Sequence, residues 1–390
     1  MAVIQSLNSR KVLNSHVKFT LEFIVALEGG ASGYGASSQG ETISIYEDKK
    51  VAIDAGTIIQ TITADGLLGQ PLDQAAFDAY LQQRIPQFGR NNAFGLSLAF
   101  FNAANQGKTL FESFGRPPAR LNPPHLCLNI LNGGWHAYTN PVLSDFSEFM
   151  LVAKSTNLEE AIAEHNEIQR VVAERLLRQT KTVVSGNPVN CFATADNREP
   201  IDFLMNVCES LHLRDRYELM IDASAGDLCA DGAYTFAITD HATRSGDEMV
   251  DYWQGLIQQY GLRWLEDPFQ EKDFSHWQRL TAQQPGAHII GDNLYSSDAA
   301  RIAEGAAGCY SDSAVIKPNQ AGTVTAVVQA IQTAQAAGII PITSHRSIST
   351  ESTFLSALTC AYAVPYIKIG PLLSDYSSVV RLNEIIRLTE

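Results

Sequence analysis

Apolar and polar positions follow one pattern in the first 115 residues and another after them. Residues 17–28 (VKFTLEFIVALE) alternate between apolar and polar side chains, which predicts a strand with one buried face. The glycine-rich residues 29–41 predict a flexible loop, and the run TISIYE (42–47) predicts a second strand. Residues 50–115 then predict several helices, one of them around DQAAFDAYLQQRI (73–85). Two antiparallel strands followed by helices form an α+β unit.

A proline-rich segment separates this unit from the rest of the chain. Residues 116–125 (RPPARLNPPH) contain four prolines and predict a stiff linker. We therefore expect an N-terminal α+β capping domain at 1–121 and a second domain at 122–390. A chain of 390 residues suits this division, because a barrel of roughly 250 residues leaves room for one smaller domain.

Beyond the linker, short apolar runs alternate with helical patterns. One helix is expected to begin after Asn157, a candidate N-cap with Glu160 three residues later. The alternation predicts βαβ units and a parallel sheet, and seven or eight units predict a closed barrel. The apolar runs are LCLNILN, EFMLVA, ELMIDAS, LRWLEDPF, HIIGDNLY, SAVIKPN, IIPITSH and PYIKIG. The predicted fold class is α/β, with an N-terminal α+β capping domain followed by a TIM-like (β/α)8 barrel.

Composition and charge argue against several classes of partner. Hydrophobic residues make up 45% of the chain, which is enough for a large core. The formal net charge of −14 argues against binding to nucleic acid or to an anionic membrane. No apolar run approaches the roughly 20 residues that span a bilayer, so a cytoplasmic protein is predicted. The six cysteines form no C-x-x-C pair, which predicts reduced and mostly buried thiols.

Charged or strongly polar residues stand at the ends of six apolar runs. From Glu266 onward they recur about once per βα unit. The carboxyl ends of barrel strands share the face that carries barrel active sites. We therefore expect six polar side chains at one barrel mouth. They are Asp222, Glu266, Asp292, Lys317, His345 and Lys368.

The chemistry of these side chains predicts metal-assisted removal of a proton. Three carboxylates without a histidine or cysteine among them suit a hard cation, and Mg2+ fits best. One lysine can serve as a base when desolvation and neighbouring cations lower its pKa, and the other can hold an anionic oxygen. Arg346, which follows the histidine, suits a phosphate or carboxylate group. A metal ion helps because it stabilises the enolate left when a proton beside a carboxylate is removed.

The motifs resemble those of the enolase family, and the resemblance runs along nearly the whole chain. They stand here as SRKVLNS, GASSQGE, LNGGWHA, EFM, IDAS, LEDPF, GDNL, IKPNQAGT, SHRSIST, YIKIG and RLNEIIRL. The resemblance implies that Asp222, Glu266 and Asp292 bind the first of two Mg2+ ions. It also implies that Lys317 removes the substrate proton and that Lys368 lies beside the substrate carboxylate.

The same resemblance implies a substrate and further binding residues. Arg346 and Ser347 match the pair that binds the substrate phosphate, and His345 matches the histidine beside them. The implied substrate is a small phosphorylated three-carbon acid, 2-phosphoglycerate or phosphoenolpyruvate or a close analogue. Enolases form at least dimers, so the resemblance also implies a homo-oligomer.

Three more matches fall on loops and on one strand. His136, in LNGGWHA, matches a histidine on a mobile active-site loop. Glu148, in EFM, matches a glutamate near the leaving hydroxyl. Ser37, in GASS, matches the serine of a flap that closes and helps to hold the second Mg2+.

The sequence departs from the family pattern where the leaving group is protonated. The family's GDEGGFAP-like segment reads NPVNCFATADN here, which places Val189 at the position of the proton-donating glutamate. Valine cannot transfer a proton, and loss of a general acid typically costs about 10²–10⁴-fold in rate. Glu148 is a candidate substitute, but three more residues separate it from His136 than in the family pattern. Asn293, in GDNL, also replaces a second aspartate beside the metal.

Three hypotheses follow from these matches and departures. The first is phosphopyruvate hydratase activity, with Glu148 or water helping the hydroxyl to leave. The second is an enolase-derived enzyme of secondary metabolism that resembles carboxyphosphonoenolpyruvate synthase of phosphonate biosynthesis, with a cytidine nucleotide-activated phosphonate as a further partner. The third is a non-catalytic enolase-like binding protein, which the two lysines argue against. The missing acid favours the second hypothesis.

Overall fold

A four-stranded antiparallel sheet and four helices make up the first part of the chain. The computed structural model describes residues 1–36, 44–47, 53–133, 140–178, 181–184, 187–346, 348–373 and 375–390. The sheet has the strand order β3-β2-β1-β4. Its strands are β1 (Ala2–Leu13), β2 (Phe19–Leu27), β3 (Ser32–Ala36) and β4 (Pro71–Leu72). The helices are α1 (Ala55–Ala64), α2 (Gln74–Phe88), α3 (Arg90–Ala104) and α4 (Leu110–Ser113).

The glycine-rich segment is partly a strand. The prediction of a flexible loop at 29–41 is wrong for Ser32–Ala36, which pairs with β2 as strand β3. A Cβ atom on Gly35 would lie 2.2 Å from the backbone oxygen of Gly95 in α3. This glycine therefore lets the strand approach the helix closely, and its presence does not indicate flexibility.

Strand β2 pairs with β1 as well as with β3, and the predicted second strand TISIYE is not confirmed. The part of that run that the structure describes, residues 44–47, forms a turn. Strand β1 was not predicted, because Ile4 and Leu7 are buried but most of its other side chains are exposed or half-buried. Without an apolar alternation, only the tertiary pairing identifies such a strand.

Eight strands close into a barrel, which confirms the predicted fold class. The barrel strands are β5 (His125–Asn132), β7 (Glu148–Ala153), β11 (Tyr217–Asp222), β15 (Trp264–Glu266), β16 (His288–Gly291), β17 (Ser313–Ile316), β18 (Ile340–Ser344) and β19 (Tyr366–Ile369). The helices that follow them are α5 (Leu158–Leu176), α6 (Glu199–Ser210), α7 (Gly246–Tyr260), α8 (Phe274–Gln283), α9 (Ala299–Ala307), α10 (Pro318–Ala321), α11 (Val324–Ala336), α12 (Phe354–Ala361) and α13 (Tyr376–Thr389).

Short strands and tight turns decorate the barrel loops. The strands are β6 (Val142–Leu143), β8 (Lys181–Val184), β9 (Asn187–Asn190), β10 (Phe192–Ala193), β12 (Cys229–Ala230), β13 (Ala233–Thr235) and β14 (Thr243–Arg244). Two 3-10 turns lie at Arg214–Arg216 and Ala225–Leu228. The division of the chain at residues 121 and 122 stays a prediction.

One barrel strand runs against the others. Strand β7 is antiparallel to both β5 and β11, whereas β11 pairs in parallel with β15. The prediction of a parallel sheet is therefore wrong at this strand. The described residues between β5 and β7 hold the short strand β6 and no helix, and a connection without a crossover helix suits an antiparallel return. As a result, Glu148 at the start of β7 lies opposite Asp222 and Asn132 at the ends of its neighbours.

The barrel is filled with side chains, and helix α5 is capped as its sequence indicates. Asn157 accepts a hydrogen bond from the backbone amide of Glu160 at 3.2 Å, which confirms the predicted N-cap of α5. The barrel interior holds one apolar layer, so it is a packed core and not a pore. Its buried members are Cys127, Met150, Val152, Met220, Trp264, Ile290, Val315 and Ile342.

The N-terminal helices dock on the segment that follows β17. The carboxylate of Asp78 in α2 accepts hydrogen bonds from the amide of Thr325 at 2.8 Å and from the hydroxyl of Ser97 at 2.6 Å. Arg90 Nη1 donates to the backbone oxygen of Gln320 at 3.2 Å. These contacts hold the segment after Lys317 against the first part of the chain.

Two further predictions concern thiols and membranes. All six cysteines are free, and Cys127, Cys191, Cys208 and Cys360 are buried, as expected for reduced thiols. No helix in the described ranges has the length and apolar character to cross a bilayer.

Candidate active site

The ends of several barrel strands bring charged side chains to one mouth. Asp222 and Glu266 are the last residues of β11 and β15, and they stand in neighbouring positions of the parallel ladder. Asp292 and Lys317 directly follow β16 and β17, and Lys368 lies in β19. The carboxyl ends of parallel strands share one face, so the repeat read from the sequence places these groups together.

Lys368 forms the centre of a buried charge cluster. Its Nζ lies 2.7 Å from Glu148 Oε2, 3.0 Å from Asp222 Oδ2 and 2.8 Å from Glu266 Oε2. Glu148 also accepts a hydrogen bond from Asn129 Nδ2. The lysine side chain is 6% exposed and that of Glu266 is fully buried, so water screens these contacts little.

A second pair lies beside this cluster. Lys317 Nζ donates a hydrogen bond to Asp292 Oδ2. The backbone amide of Lys317 donates to Ser297 Oγ at 2.8 Å, and Ser297 in turn donates to Gln320 at 2.8 Å. The lysine backbone is thereby fixed, while its side chain is 12% exposed at the mouth.

The cluster has more negative than positive charge. Burial, with Asp222 nearby, raises the pKa of Glu266 well above its ordinary value. Burial also raises the pKa of Asp267 well above the usual range, and Asp292 and Asp222 add to the effect. Burial alone would lower the pKa of Lys368, but the carboxylates around it raise that pKa well above its ordinary value. Lys368 is therefore an ammonium group suited to hold an anionic oxygen and not to act as a base.

Arg346, the predicted phosphate-binding residue, makes an ion pair with Glu47. Arg346 Nη2 lies 2.9 Å from Glu47 Oε2 and Nη1 lies 3.3 Å from Oε1. Gln320 Nε2 donates to the same Oε1 at 3.0 Å. Burial alone would raise the pKa of Glu47, but Arg346 and Gln320 lower it below its usual value. Glu47 is thus a charged carboxylate at the candidate anion site.

His345 lies beside this arginine. Its Nδ1 is 3.6 Å from Asp375 Oδ2, which is longer than a hydrogen bond. Burial lowers the pKa of His345, and Asp375 opposes that effect. His345, Arg346 and Arg381 line one small cavity of about 40 Å3.

Comparison with known proteins agrees with the barrel fold. Residues 121–390 match the family model described as the enolase C-terminal TIM barrel domain. The chain belongs to the enolase family. Over 418 aligned positions it is 29% identical to an enolase from Acidothermus cellulolyticus, and the match covers all of this chain and 95% of that protein. Family membership supports an enolase-like enzyme, and the modest identity is consistent with a divergent member.

The carboxylates of this enolase-family protein fit a hard cation in kind, but they are not arranged around one in this conformation. Among the residues that the structure describes, no three carboxylate, imidazole or thiol groups are placed to hold a metal ion. Lys368 instead contacts Asp222 and Glu266, and Lys317 contacts Asp292. Asp292 Oδ1 is buried without a hydrogen-bond partner, a costly state that a cation would relieve. The ligand roles stay predictions, and they require Lys368 to withdraw from two carboxylates.

Several predicted site residues cannot be placed. Ser37, His136 and Ser347 lie outside the described residues. The backbone of Val189 belongs to β9, but its side chain is not described. The roles of these residues in the enolase-family site stay predictions.

Three polar residues of the mouth were missed from the sequence. Asn129, in LCLNILN, bonds Glu148 and lies 2.9 Å from Asn132 Oδ1. Asp267 follows Glu266 and accepts hydrogen bonds from two backbone amides, including that of Asn293 at 2.7 Å. Asn129 lies within an apolar run that was recognised and Asp267 follows Glu266 in LEDPF, so polar residues inside these motifs were an available signal. Glu47 had no such signal, because its contact with Arg346 joins distant parts of the chain.

Proposed function

We propose that this protein is a Mg2+-dependent enzyme that forms an enolate from a phosphorylated three-carbon acid, with Lys317 as the base. We further propose that its overall reaction has diverged from the dehydration of 2-phosphoglycerate. A reaction like that of carboxyphosphonoenolpyruvate synthase, in phosphonate biosynthesis, suits this divergence. The observation that carries the proposal is a mouth with two lysines among carboxylates, combined with Val189 at the position of the proton donor.

The residues of the chain would divide the chemistry between them. Lys317 Nζ, whose side chain is 12% exposed, would take the proton from the carbon beside the substrate carboxylate. Lys368, held as an ammonium group, would orient that carboxylate. Asp222, Glu266 and Asp292 would hold Mg2+, whose charge stabilises an enolate.

Phosphopyruvate hydratase activity is the second candidate, and the position of Glu148 favours it. Strand β7 runs so that this carboxylate reaches the mouth, 2.7 Å from Lys368 Nζ. A dehydration also needs a group that gives a proton to the departing hydroxyl. Glu148 accepts hydrogen bonds from Lys368 and Asn129, so it acts as an acceptor in this arrangement. We therefore rank this candidate second.

Proton exchange separates the two candidates. The purified protein is given Mg2+ and 2-phosphoglycerate in deuterated water, and both loss of the C2 proton by NMR and formation of the enol product by absorbance are followed. We expect exchange without substantial dehydration, because the base is present and the general acid is replaced. Dehydration at the rate of an ordinary enolase would reject the divergent function and support the second candidate.

Two variants control this assay. Lys317→Ala should abolish exchange, whereas Lys154→Ala, at an exposed lysine, should leave it unchanged. Exchange that persists in Lys317→Ala would show that another group is the base. Binding of a cytidine nucleotide, measured by calorimetry, would support the phosphonate-type reaction. That nucleotide partner and the homo-oligomer stay predictions.

A further inference from the structure

The turn at residues 44–47 places a carboxylate on the arginine that is predicted to bind the substrate phosphate. Two oxygens of Glu47 face two nitrogens of Arg346, at 2.9 and 3.3 Å. Both side chains are nearly buried, at 10% and 6% exposure. This is the two-pronged geometry by which arginine binds carboxylate or phosphate groups of a ligand.

The turn is anchored to the barrel by contacts that do not involve Arg346. Ser44 Oγ donates to the backbone oxygen of Asn293 at 3.0 Å and lies 3.3 Å from Glu271 Oε1. The amide of Ile45 donates to the same Glu271 oxygen at 3.2 Å. The turn therefore has attachments to the barrel that do not involve Arg346.

The aromatic ring of the turn adds a further attachment. The guanidinium of Arg301, in α9, lies 4.5 Å from the centre of the Tyr46 ring, a distance typical of a cation–π contact. Glu47 itself also accepts a hydrogen bond from Gln320 Nε2 at 3.0 Å. The ion pair also carries a desolvation cost, since a nearly buried pair often contributes little net stability.

We infer that Glu47 is an internal competitor for the anion site of Arg346, which a substrate phosphate or carboxylate must displace. Two anionic groups cannot occupy the same guanidinium face without strong repulsion. The side chain of Glu47 thereby selects among anions, because a ligand must bind the Arg346 guanidinium more strongly than the Glu47 carboxylate does. A dianionic phosphate meets that requirement better than a monoanionic carboxylate. The inference rests on the proposed function only in taking Arg346 as the anion site.

The expected effect on affinity follows from the competition. If a site is open for only a fraction of the time, the apparent affinity of its ligand is the intrinsic affinity multiplied by that fraction. If Glu47 occupies Arg346 for about 90% of the time, its removal should tighten anion binding about tenfold.

Calorimetric titration with inorganic phosphate, in the presence of a chelator, tests this inference on the full chain without turnover. Glu47→Gln removes the charge, and Glu47→Asp keeps the charge but shortens the side chain by one methylene. We expect Glu47→Gln to bind phosphate about tenfold more tightly than the unaltered protein, and Glu47→Asp, which keeps the competing charge on a shorter side chain, to lie between the two. Arg346→Gln should lose phosphate binding. Glu209→Gln, at an exposed glutamate, controls for the loss of one negative charge.

Each remaining outcome overturns the inference. Equal or weaker phosphate binding by Glu47→Gln would show that Glu47 does not compete. Tighter binding by Glu47→Asp than by Glu47→Gln would show that the carboxylate at this position does not compete. Phosphate binding that survives in Arg346→Gln would place the anion site elsewhere. Because no turnover is measured, failure of the proton-exchange assay would leave this result intact, so the two proposals fail separately.

Discussion

Replacing Lys368 by methionine should destabilise the metal-free protein by about 3–5 kcal/mol, the range for removing one partner of a buried ion pair. Methionine has a similar length and would fill the same space in the barrel mouth. It would leave Glu148, Asp222 and Glu266 without the ammonium that lies 2.7–3.0 Å from each of them. The loss would therefore be electrostatic and not a loss of packing.

The size of this effect can be worked from the contacts. At about 2.8 Å and an effective dielectric constant of about 20, one such pair is worth roughly 6 kcal/mol before desolvation is subtracted. Repulsion among the carboxylates and the cost of burying the charges reduce the sum to a few kcal/mol. Part of the loss is recovered when a carboxylate takes up a proton. Because the pKa of Glu266 is already raised by burial, the destabilisation should be smaller at pH 6 than at pH 8.

Urea unfolding in the presence of a chelator measures this difference, with Lys154→Met as the control at an exposed lysine. Added Mg2+ should stabilise Lys368→Met more than the unaltered protein, because no ammonium then competes for Asp222 and Glu266. A free energy of unfolding within about 1 kcal/mol of the unaltered protein in chelator would refute the reasoning, since breaking a buried pair costs more than that. It would mean that the cluster is solvated or that Lys368 is not its centre.

Two further predictions concern stability. Gly35→Ala should lower the free energy of unfolding by about 1–3 kcal/mol through overpacking against α3, because its Cβ would lie 2.2 Å from the Gly95 oxygen. Gly255→Ala, in α7 with open space around it, should be neutral or stabilising. Thermal unfolding of both variants measures the difference, and equal effects of the two changes would contradict this prediction. Burial lowers the pKa of His165 to about 4, so the unfolded chain takes up its proton first as pH falls from about 6.5. The free energy of unfolding should therefore fall between about pH 6.5 and 4, by up to about 3 kcal/mol. Urea unfolding should show a smaller fall in His165→Gln, and identical pH profiles of the two proteins would show that this histidine is not the cause.

The barrel and most of its mouth could be predicted because each depends on local sequence. Apolar runs mark the central strands, and a polar residue at the end of each run marks the mouth, as at Asp222 and Glu266. The direction of a strand is not local. The apolar run EFMLVA contains no information on the direction of its strand. The antiparallel pairing of β7, which begins at Glu148, is therefore known only from the structure.

The N-terminal part was harder to predict because its signals conflict. Glycines normally indicate a loop, yet Gly35 is required by the close approach of β3 to α3. The run TISIYE has strand-forming residues, but its described part is a turn held by Ser44 against Asn293, far along the chain. Such a contact between distant segments leaves no periodic pattern in either segment.

The predicted base Lys317 and two cationic groups predicted to bind substrate each have a carboxylate partner within the chain. Lys368 contacts Glu266, Lys317 contacts Asp292 and Arg346 contacts Glu47. These pairs explain how several charged side chains can be nearly buried at the barrel mouth, since an unpaired buried charge is very costly. They also imply that ligands enter by exchange of partners: a divalent cation would replace the lysines on the carboxylates, and an anionic substrate would then take the place of the carboxylates on Lys368 and on Arg346. Each exchange leaves groups whose charge the other ligand can neutralise, so binding of the cation and of the anion should favour one another, and by linkage the coupling must be equal in both directions.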